Sequence, residues 1–450
     1  MAAVSENFGG AQLMRRAIRG SAWIMFGYAG SQALRLGANL IVTRLLFPEA
    51  FGLMALVTVF IVGLGMFSDV GIGPSISHSK RGDDPEFLNT AWTIQIIRGF
   101  ALWAAACALA WPVSQFYGET ALIWLLPAAA LGLAVSGFDP TRIYSANRHL
   151  RMGAVTRLDL LAQAIGIGAM IGFALVLNSV AALVIGSVVG ELARLVVMHA
   201  FLPGSRNRLR WEPAAARELL HFGKWIFAST ICGFFSSQGD RAILGKILTI
   251  SMLGIYNIGY FLASFPIQLG YAVTGRILIP VYRETAAAGS PEAHRKLRLM
   301  RFGLTGGLLC LVLLMAFVGG PLVGLLYDDR YITAGAVVVA VACIQIPMVI
   351  GMSYDQAALA AGDSRGFFLL SLVRATLQMS LMLAGAMWTG LPGALIGLGI
   401  AALLVHPLIV VLAVRHQIWD ASHDLTFGLI GGGAGAVAIW LNWAALMSIG

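Results

Sequence analysis

The sequence predicts an all-α polytopic membrane protein, and three features of the chain support this prediction. Of its 450 residues, 58% are hydrophobic and only 11% are charged, whereas soluble domains carry about 25% charged residues. Apolar stretches of about 20 residues, the length of a helix that crosses the hydrocarbon core, follow one another along the chain. The connections between them are too short to fold as domains. We therefore expect a bundle of membrane-spanning helices.

The apolar stretches divide the chain into thirteen predicted spans. The arginine-rich first 20 residues lack a small-residue cleavage site, so we expect the first span to be retained as an anchor. The predicted spans are 20–43, 50–72, 88–110, 121–139, 158–177, 180–201, 219–239, 251–273, 302–326, 333–353, 366–388, 392–414 and 425–447.

The distribution of Lys and Arg predicts the orientation of these spans. The N-terminal tail and the even-numbered connections carry 21 of the 30 basic residues, and the opposite side carries four. Cytoplasmic loops are enriched in Lys and Arg, so we expect a cytoplasmic N-terminus. The net charge of +9 therefore reflects topology, and we expect no nucleic-acid partner. The longest connection, 274–301, is basic, and we expect it to lie as an amphipathic helix on anionic inner-leaflet lipids.

An internal repeat is visible when the chain is shifted by 202 residues. Residues 23–52 then align without a gap to residues 225–254, with six identities that include the pair Gly52 and Gly254. Matching landmarks also follow spans 4 and 10, and spans 3 and 9 end in similar segments. Parallel repeats pack around an axis normal to the membrane. The repeat predicts two six-helix lobes, residues 1–205 and 206–415, around a central cavity, with one additional C-terminal span in residues 416–450.

Three arginines lie inside predicted spans without an acidic residue within one turn of the same helix. They are Arg35, Arg98 and Arg374. A cation in hydrocarbon costs about 2.5–3.5 kcal/mol on insertion scales, so such residues face a wet cavity or a partner. We expect them to line a cationic cavity that binds an anionic substrate such as a phosphate or pyrophosphate, because Arg binds phosphate bidentately. The alternative is structural pairing with acidic residues of other helices.

Polar amides accompany two of these arginines in the same helices. They could bind the hydroxyl groups of a sugar, or they could hold helices together by hydrogen bonds. These amide residues are Gln32, Gln95 and Asn39.

Other ionisable residues in or near the spans are candidates for ion coupling or gating. Glu191 and Arg194 are three residues apart on one helix face, which favours an intrahelical pair. Asp240 and Arg241 could form a local pair or a gate latch. A structural role is the alternative for every member of this group, which comprises Asp69, Asp139, Glu191, Arg194, Asp240 and Arg241.

No catalytic or metal-binding pattern is visible in the sequence. The eight histidines fall in loops or at span ends, without the spacing of a Ser-His-Asp triad or a zinc site. A phosphate-binding loop is also absent. We therefore expect no enzymatic activity, no bound metal and no cofactor.

Three stretches carry a resemblance to a known family. "LIVTRLLFPEAFGLMALV" follows span 1, "YSANRHLRMGAVTRLDL" follows span 4, and "GDRAILGKILTISMLGIYNIGYFL" crosses spans 7 and 8. They resemble Wzx-type polysaccharide and lipopolysaccharide flippases of the multidrug/oligosaccharidyl-lipid/polysaccharide exporter superfamily. The resemblance implies alternating-access export of polyprenyl-pyrophosphate-linked oligosaccharides across a bacterial inner membrane, for exopolysaccharide, capsule or lipopolysaccharide synthesis. It also implies possible coupling to a Na⁺ or H⁺ gradient, and a polysaccharide polymerase and glycosyltransferases as partners.

Two other function classes compete with this interpretation. A drug or cation antiporter of the same superfamily would prefer acidic and aromatic cavity residues, and the intramembrane arginines argue against it. A membrane-embedded polysaccharide polymerase or ligase would need a sizeable outer loop with catalytic residues. The longest outer connections have only about ten to twelve residues, which argues against an enzyme of that kind.

Overall fold

A computed structural model describes residues 10–68, 71–149, 151–274, 282, 291–360 and 363–449. The regular elements in these ranges are helices, including one 3₁₀ turn at Asp329–Tyr331, and no strand occurs among them. The α-helices are α1 (Gly10–Leu45), α2 (Pro48–Phe67), α3 (Ile72–His78), α4 (Pro85–Tyr117), α5 (Leu122–Ser136), α6 (Arg142–Arg148), α7 (Met152–Leu177), α8 (Ala181–Phe201), α9 (Pro213–Ile247), α10 (Ile250–Ala263), α11 (Phe265–Val273), α12 (Pro291–Leu326), α13 (Ala334–Ala360), α14 (Ser364–Thr389), α15 (Leu391–Arg415), α16 (Ala421–Leu441) and α17 (Trp443–Met447).

The predicted all-helical membrane fold is confirmed. Among the described residues, nine helices are long and apolar enough to cross a membrane, and α10 with α11, bent by 45°, would be a tenth span. The three remaining predicted spans, 20–43, 121–139 and 219–239, fall on α1, α5 and α9. Of these, α5 has only 15 residues. The total of thirteen spans therefore stays a prediction.

The basic connection 274–301 is only partly described. Residues 291–301 form the first turns of α12, a helix of 36 residues. At 1.5 Å per residue such a helix is about 54 Å long and exceeds the roughly 30 Å of hydrocarbon. Residues 275–281 and 283–290 lie outside the described residues. The surface helix predicted there, and its binding to anionic lipids, stay predictions.

The start of α4 shows how local chemistry sets a helix end. The Asp84 carboxylate accepts a hydrogen bond of 3.1 Å from the backbone N–H of Glu86, and Pro85 occupies the first helical position. Arg81 pairs with Asp84, and it also pairs with Glu212 at 2.7 Å. The hydrogen bond from Arg81 lowers the pKa of the Asp84 carboxyl. These contacts fasten the polar connection before α9 to the start of α4.

The chain forms two compact units. Unit 1 comprises the residues up to Leu46 together with Gly63–Ala228. Within it, α7 packs against α8 and α1, and α5 packs against α4 and α8. Unit 2 comprises Phe47–Val62 and the residues from Ser229 onward. The predicted additional C-terminal segment, 416–450, therefore belongs to unit 2.

The centre of unit 2 is α13. This helix packs against α10, α12, α14, α15 and α16. In the segment Asp329–Tyr354, which includes most of α13, 72% of the most apolar 18-residue stretch is buried. In the other candidate spans of the described residues this share does not exceed 44%. A helix that is apolar all round and buried by protein is a core helix. The sequence does not distinguish α13 from the lipid-facing spans, because all of them are similarly hydrophobic.

The first turns of α2 and α10 meet closely inside unit 2. A Cβ atom added to Gly52 would lie 2.0 Å from the carbonyl oxygen of Ile250, and one added to Gly254 would lie 2.0 Å from that of Pro48. Only glycine permits this approach of two backbones. Pro48 and Ile250 are 202 positions apart, and so are Gly52 and Gly254. This separation equals the shift of the predicted repeat. The contact is reciprocal under that shift, and a repeat over the whole chain stays a prediction.

Candidate functional site

The candidate functional site is a small pocket inside unit 2. Its volume is about 100 Å³, which is room for roughly three water molecules. Among the described residues, Arg374 from α14 is the only charged one that lines it. The other polar lining residues are Gln345 of α13, Gln378 of α14, Ser236 of α9, Tyr260 of α10 and Tyr271 of α11.

A helix break and a proline inside another helix lie at this pocket. The α10–α11 pair breaks at Ser264, with Pro266 in the first turn of α11. Pro347 lies inside α13 and lines the pocket. A proline inside a helix removes one backbone hydrogen bond and bends the helix. The break between α10 and α11 places Tyr260 and Tyr271, one from each helix, at the pocket.

The polar groups of the pocket are partly held by the protein. The Gln378 Nε2 atom lies 3.4 Å from the carbonyl oxygen of Ser236. The Oε1 atom of Gln345 is buried and has no hydrogen-bond partner among the described residues. A buried polar atom of this kind is costly unless something binds it. One guanidinium with amide and phenol groups around it suits a single small anionic group, such as one phosphate of a larger ligand.

Next to the pocket, Asp240 and Arg241 form the local pair that the sequence favoured as one alternative. The Arg241 Nη1 atom lies 3.6 Å from Asp240 Oδ1, and its Nε donates to the Asn257 side-chain oxygen at 2.8 Å. The guanidinium stacks over Tyr260 at 4.6 Å from the ring centroid. Tyr256 donates a hydrogen bond of 2.7 Å to Asp240. A gating role for this pair stays a prediction.

Arg98 and Gln95, on α4 of unit 1, both bind neighbouring helices. Arg98 donates through Nε to the Ser68 hydroxyl at 2.9 Å and through Nη2 to the Gly65 carbonyl at 2.7 Å. The buried Gln95 donates through Nε2 to the Ser136 carbonyl at 3.1 Å. Both side chains therefore contribute to helix packing, and their binding of substrate stays a prediction.

The remaining predicted residues of this group lie on α1. Arg35 is exposed, and Gln32 and Asn39 are half-buried. The three residues are spaced by three or four positions, so they share one face of the helix. Asp69, one of the predicted coupling residues, lies outside the described residues.

A cluster rich in carboxylates lies between α5, α7 and α8 of unit 1. Arg194 pairs with Asp139 and, through Nε at 2.9 Å, with Asp159. The expected intrahelical pair is not what the structure shows, because these two carboxylates from other elements hold the guanidinium. Glu191, one turn before Arg194, has no ion-pair partner among the described residues. Two carboxylates therefore share one guanidinium, and Glu191 adds a third carboxylate one turn away on α8. Asp159 was not among the predicted coupling residues.

A second polar cluster was missed by the sequence analysis. It joins Tyr354, His406, His423 and Asp424 inside unit 2. The sequence showed isolated histidines at span ends, and the only available signal was the His423–Asp424 pair at the start of an apolar segment.

Comparison with known proteins places these features in a family context. A family model described as "Polysaccharide biosynthesis protein" matches residues 41–336. The teichuronic acid biosynthesis protein TuaB of Bacillus subtilis is 19% identical over 59% of this chain and 53% of its own length. The lipopolysaccharide biosynthesis protein WzxC of Escherichia coli is 22% identical over 60% of this chain and 55% of its own length. The chain thus spans about half the length of the curated relatives it matches.

Solved structures share the fold over nearly the whole chain. The lipid II flippase MurJ, in an inward closed conformation, aligns with a TM-score of 0.66 at 11% identity, over 96% of this chain and 98% of its own. A multidrug resistance transporter of the MATE family, of the MOP superfamily, aligns with a TM-score of 0.63 at 15% identity, over 87% and 96%. Both neighbours are membrane transport proteins and neither is an enzyme.

Proposed function

The chain belongs to the polysaccharide biosynthesis protein family, and from that premise we propose that it is a flippase for lipid-linked oligosaccharides. Its substrate is a polyprenyl-pyrophosphate-linked oligosaccharide of exopolysaccharide, capsule or lipopolysaccharide synthesis. It moves this substrate from the cytoplasmic to the periplasmic leaflet of a bacterial inner membrane by alternating access. Glycosyltransferases act on the lipid-linked oligosaccharide before this step, and a polysaccharide polymerase acts on it afterwards.

The observation that carries this proposal is the Arg374 pocket. Arg374 brings a permanent positive charge to the pocket, and amide, hydroxyl and phenol groups lie around it together with free volume for a ligand. Its volume of about 100 Å³ is too small for an oligosaccharide. It therefore holds one charged group, a phosphate of the lipid pyrophosphate, while the sugar lies elsewhere.

Ion coupling is the second part of the proposal. The Asp139, Asp159, Glu191 and Arg194 cluster carries two more carboxylates than guanidinium groups. Uncompensated negative charge inside a membrane protein favours binding of a cation. A half-buried carboxylate with no ion-pair partner among the described residues, such as Glu191, can bind a proton directly. We therefore favour a proton as the cation, so that a H⁺ gradient drives export.

The test begins in a strain that lacks this gene. Membranes and cell surface are analysed together for polyprenyl-linked oligosaccharide and for finished polysaccharide. We expect the linked intermediate to accumulate on the cytoplasmic leaflet and the surface polymer to be lost. Normal polymer without accumulated intermediate contradicts the flippase, and new drug sensitivity in the same strain indicates the antiporter instead.

The Arg374 site is tested by complementing that strain. Arg374→Ala is expected to lower export at least tenfold at a normal protein level, because the phosphate loses its charged partner, and Arg374→Lys is expected to restore part of it. Arg365→Ala is the matched control, since Arg365 is an exposed arginine on the same helix. Export by Arg374→Ala equal to that of the Arg365→Ala control contradicts the assignment.

A further inference from the structure

The second polar cluster of unit 2 has no role in the proposed transport site. His423, in the first turn of α16, is completely buried. Its ring lies edge-on to Phe302 and Phe427, at centroid distances of 5.2 Å and 5.0 Å. A histidine enclosed by aromatic rings inside a membrane protein requires hydrogen-bond partners on both ring nitrogens.

Both nitrogens of His423 have such partners. Nδ1 lies 3.0 Å from Asp424 Oδ1 and 3.2 Å from the Tyr354 hydroxyl. Nε2 lies 2.9 Å from the hydroxyl of Thr305, which is on α12. With Nδ1 donating to the carboxylate, Nε2 is free either to accept from the hydroxyl or to donate to it. A hydroxyl serves as donor and as acceptor, so neutral and charged His423 are both fully hydrogen-bonded.

Asp424 is the common partner of the cluster. Its Oδ1 accepts a hydrogen bond of 2.9 Å from Tyr354, and its Oδ2 accepts one of 3.0 Å from Trp419 Nε1. His406 Nε2, from α15, lies 3.5 Å from Oδ2. One carboxylate therefore lies between two imidazoles. An opposite charge at this distance favours the protonated form of an imidazole.

The described charges around the cluster balance. Arg298 pairs with Asp420 at 2.8 Å. The buried Arg301 stacks over the Tyr354 ring at 4.8 Å and donates to the Tyr282 hydroxyl. With Asp424 ionised, the two arginines and two aspartates sum to zero, so one added proton gives the cluster a charge of +1. The described residues offer no metal-binding group of three ligands here.

A route for the proton leads through His406. This residue and Asp424 are among the residues that line a groove of about 700 Å³ between α13, α15 and α16. The Nδ1 atom of His406 is buried and has no hydrogen-bond partner among the described residues. A proton can therefore add to this nitrogen without breaking an existing hydrogen bond.

We propose that His406, Asp424 and His423 form a proton-binding site in unit 2. One proton is bound by either imidazole next to the Asp424 carboxylate, at Nδ1 of His406 or at Nε2 of His423, and Thr305 changes from donor to acceptor when His423 carries it. The site joins α12, α13, α15 and α16, so its occupancy changes the hydrogen bonds that hold α16. It is separate from the carboxylate cluster of unit 1, and it does not depend on which substrate is exported.

The test is a histidine NMR titration of the purified full-length protein in lipid nanodiscs between pH 5 and pH 8. His406→Gln and His423→Gln assign the two imidazole signals by their loss. We expect the two signals to change together with pH, because both imidazoles lie against the same carboxylate. Asp424→Asn is expected to lower the midpoint by at least one pH unit, a tenfold weaker proton affinity, because the counter-charge is removed.

His199→Gln is the matched control, since His199 is exposed in unit 1 and its loss should leave the two signals unchanged. If His423→Gln does not fold, the pH dependence of Trp419 fluorescence is compared between the wild type and His406→Gln. It reports protonation of the same site, because Trp419 donates a hydrogen bond to Asp424. That fluorescence is isolated by subtracting the signal of Trp419→Phe. Signals that stay constant from pH 5 to pH 8, or an Asp424→Asn midpoint equal to that of the wild type, overturn the proposal.

Discussion

At the residue scale, Arg98 shows what a charged side chain requires inside a membrane helix. The sequence predicts only that it needs a partner from another helix, the cavity or a ligand. In the structure Arg98 donates hydrogen bonds to the Gly65 carbonyl, in the last turn of α2, and to the hydroxyl of Ser68, the residue that follows α2. Carbonyl groups at the C-terminal end of a helix carry partial negative charge. The partner depends on how α2 and α4 pack, which the residues of α4 alone do not encode.

Glu191 provides a test of the proposed ion coupling. Glu191→Gln removes one carboxylate, leaving two carboxylates for Arg194, and this weakens binding of a proton. The assay uses proteoliposomes that contain the full chain and a fluorescent lipid-linked oligosaccharide, with an imposed pH gradient. The increase in flipping rate that the gradient causes should be at least tenfold smaller in Glu191→Gln than in the wild type. Glu86→Gln is the matched control, since Glu86 is exposed outside the spans. The same response to the gradient in Glu191→Gln would exclude this residue from coupling.

The candidate site was only partly predictable from single residues. Arg374 could be selected because no acidic residue lies within one turn of its helix. Gln345 and Tyr271 could not, because their place at the pocket depends on how α13 packs and on the bend between α10 and α11. His423 looked like a histidine at a span end, and its role follows from Thr305 and Tyr354, which are more than 60 residues away in sequence.

At the element scale, the contact between α2 and α10 makes a sharp prediction. Gly254→Ala would place a methyl group 2.0 Å from the Pro48 carbonyl oxygen, and backbone atoms cannot move aside cheaply. Overpacking of this kind costs about 1–3 kcal/mol. We expect a lower Tm of the purified protein, measured by scanning fluorimetry, and a similar loss for Gly52→Ala.

The control for this prediction lies on α2 itself. A Cβ atom on Gly65 would meet nothing within 4 Å, so Gly65→Ala should keep or slightly raise the Tm, because Ala favours helix by about 1 kcal/mol over Gly. If Gly254→Ala were as stable as Gly65→Ala, the close approach of the two helices would be wrong.

Helix ends were less predictable than helix existence. The span predicted at 302–326 lies in helix α12, which begins earlier, at Pro291. Hydropathy indicates which residues can lie in the membrane, and the basic turns before residue 302 are helical although they are too polar to be part of an apolar span. The span predicted at 251–273 is one apolar run, yet it breaks at Ser264. Pro266 is the local signal for this break. Sequence alone does not distinguish a bend that changes during transport from one that stays fixed.

At the scale of the whole molecule, the orientation of the chain can be tested. The excess of Lys and Arg predicts that the connection around Arg208 is cytoplasmic and the turn at Asp329 is periplasmic. In a variant without native cysteines, Asp329→Cys should react with a membrane-impermeant maleimide in spheroplasts. Arg208→Cys should react only after the membrane is permeabilised. Both side chains are exposed, so each serves as the other's control, and the reverse labelling pattern would contradict the orientation.

The class of the whole molecule was predictable because composition and hydropathy constrain it directly. A chain with few charges and many apolar stretches must satisfy its backbone within helices in a lipid environment. The division into units was not predictable, since Phe47–Val62 pack with residues from the second half of the chain. Local sequence does not indicate which distant helix an apolar face will meet.

That long-range contact has a consequence for biosynthesis. The glycine face of α2 leaves the ribosome 202 residues before the matching face of α10. At a synthesis rate of about 5–20 residues per second, the interval is roughly 10 to 40 s. During this time α2 lies in the membrane without its partner, so a truncated or stalled chain exposes a close-packing surface that other helices can capture. Quality control of this protein therefore has a defined interval in which to act.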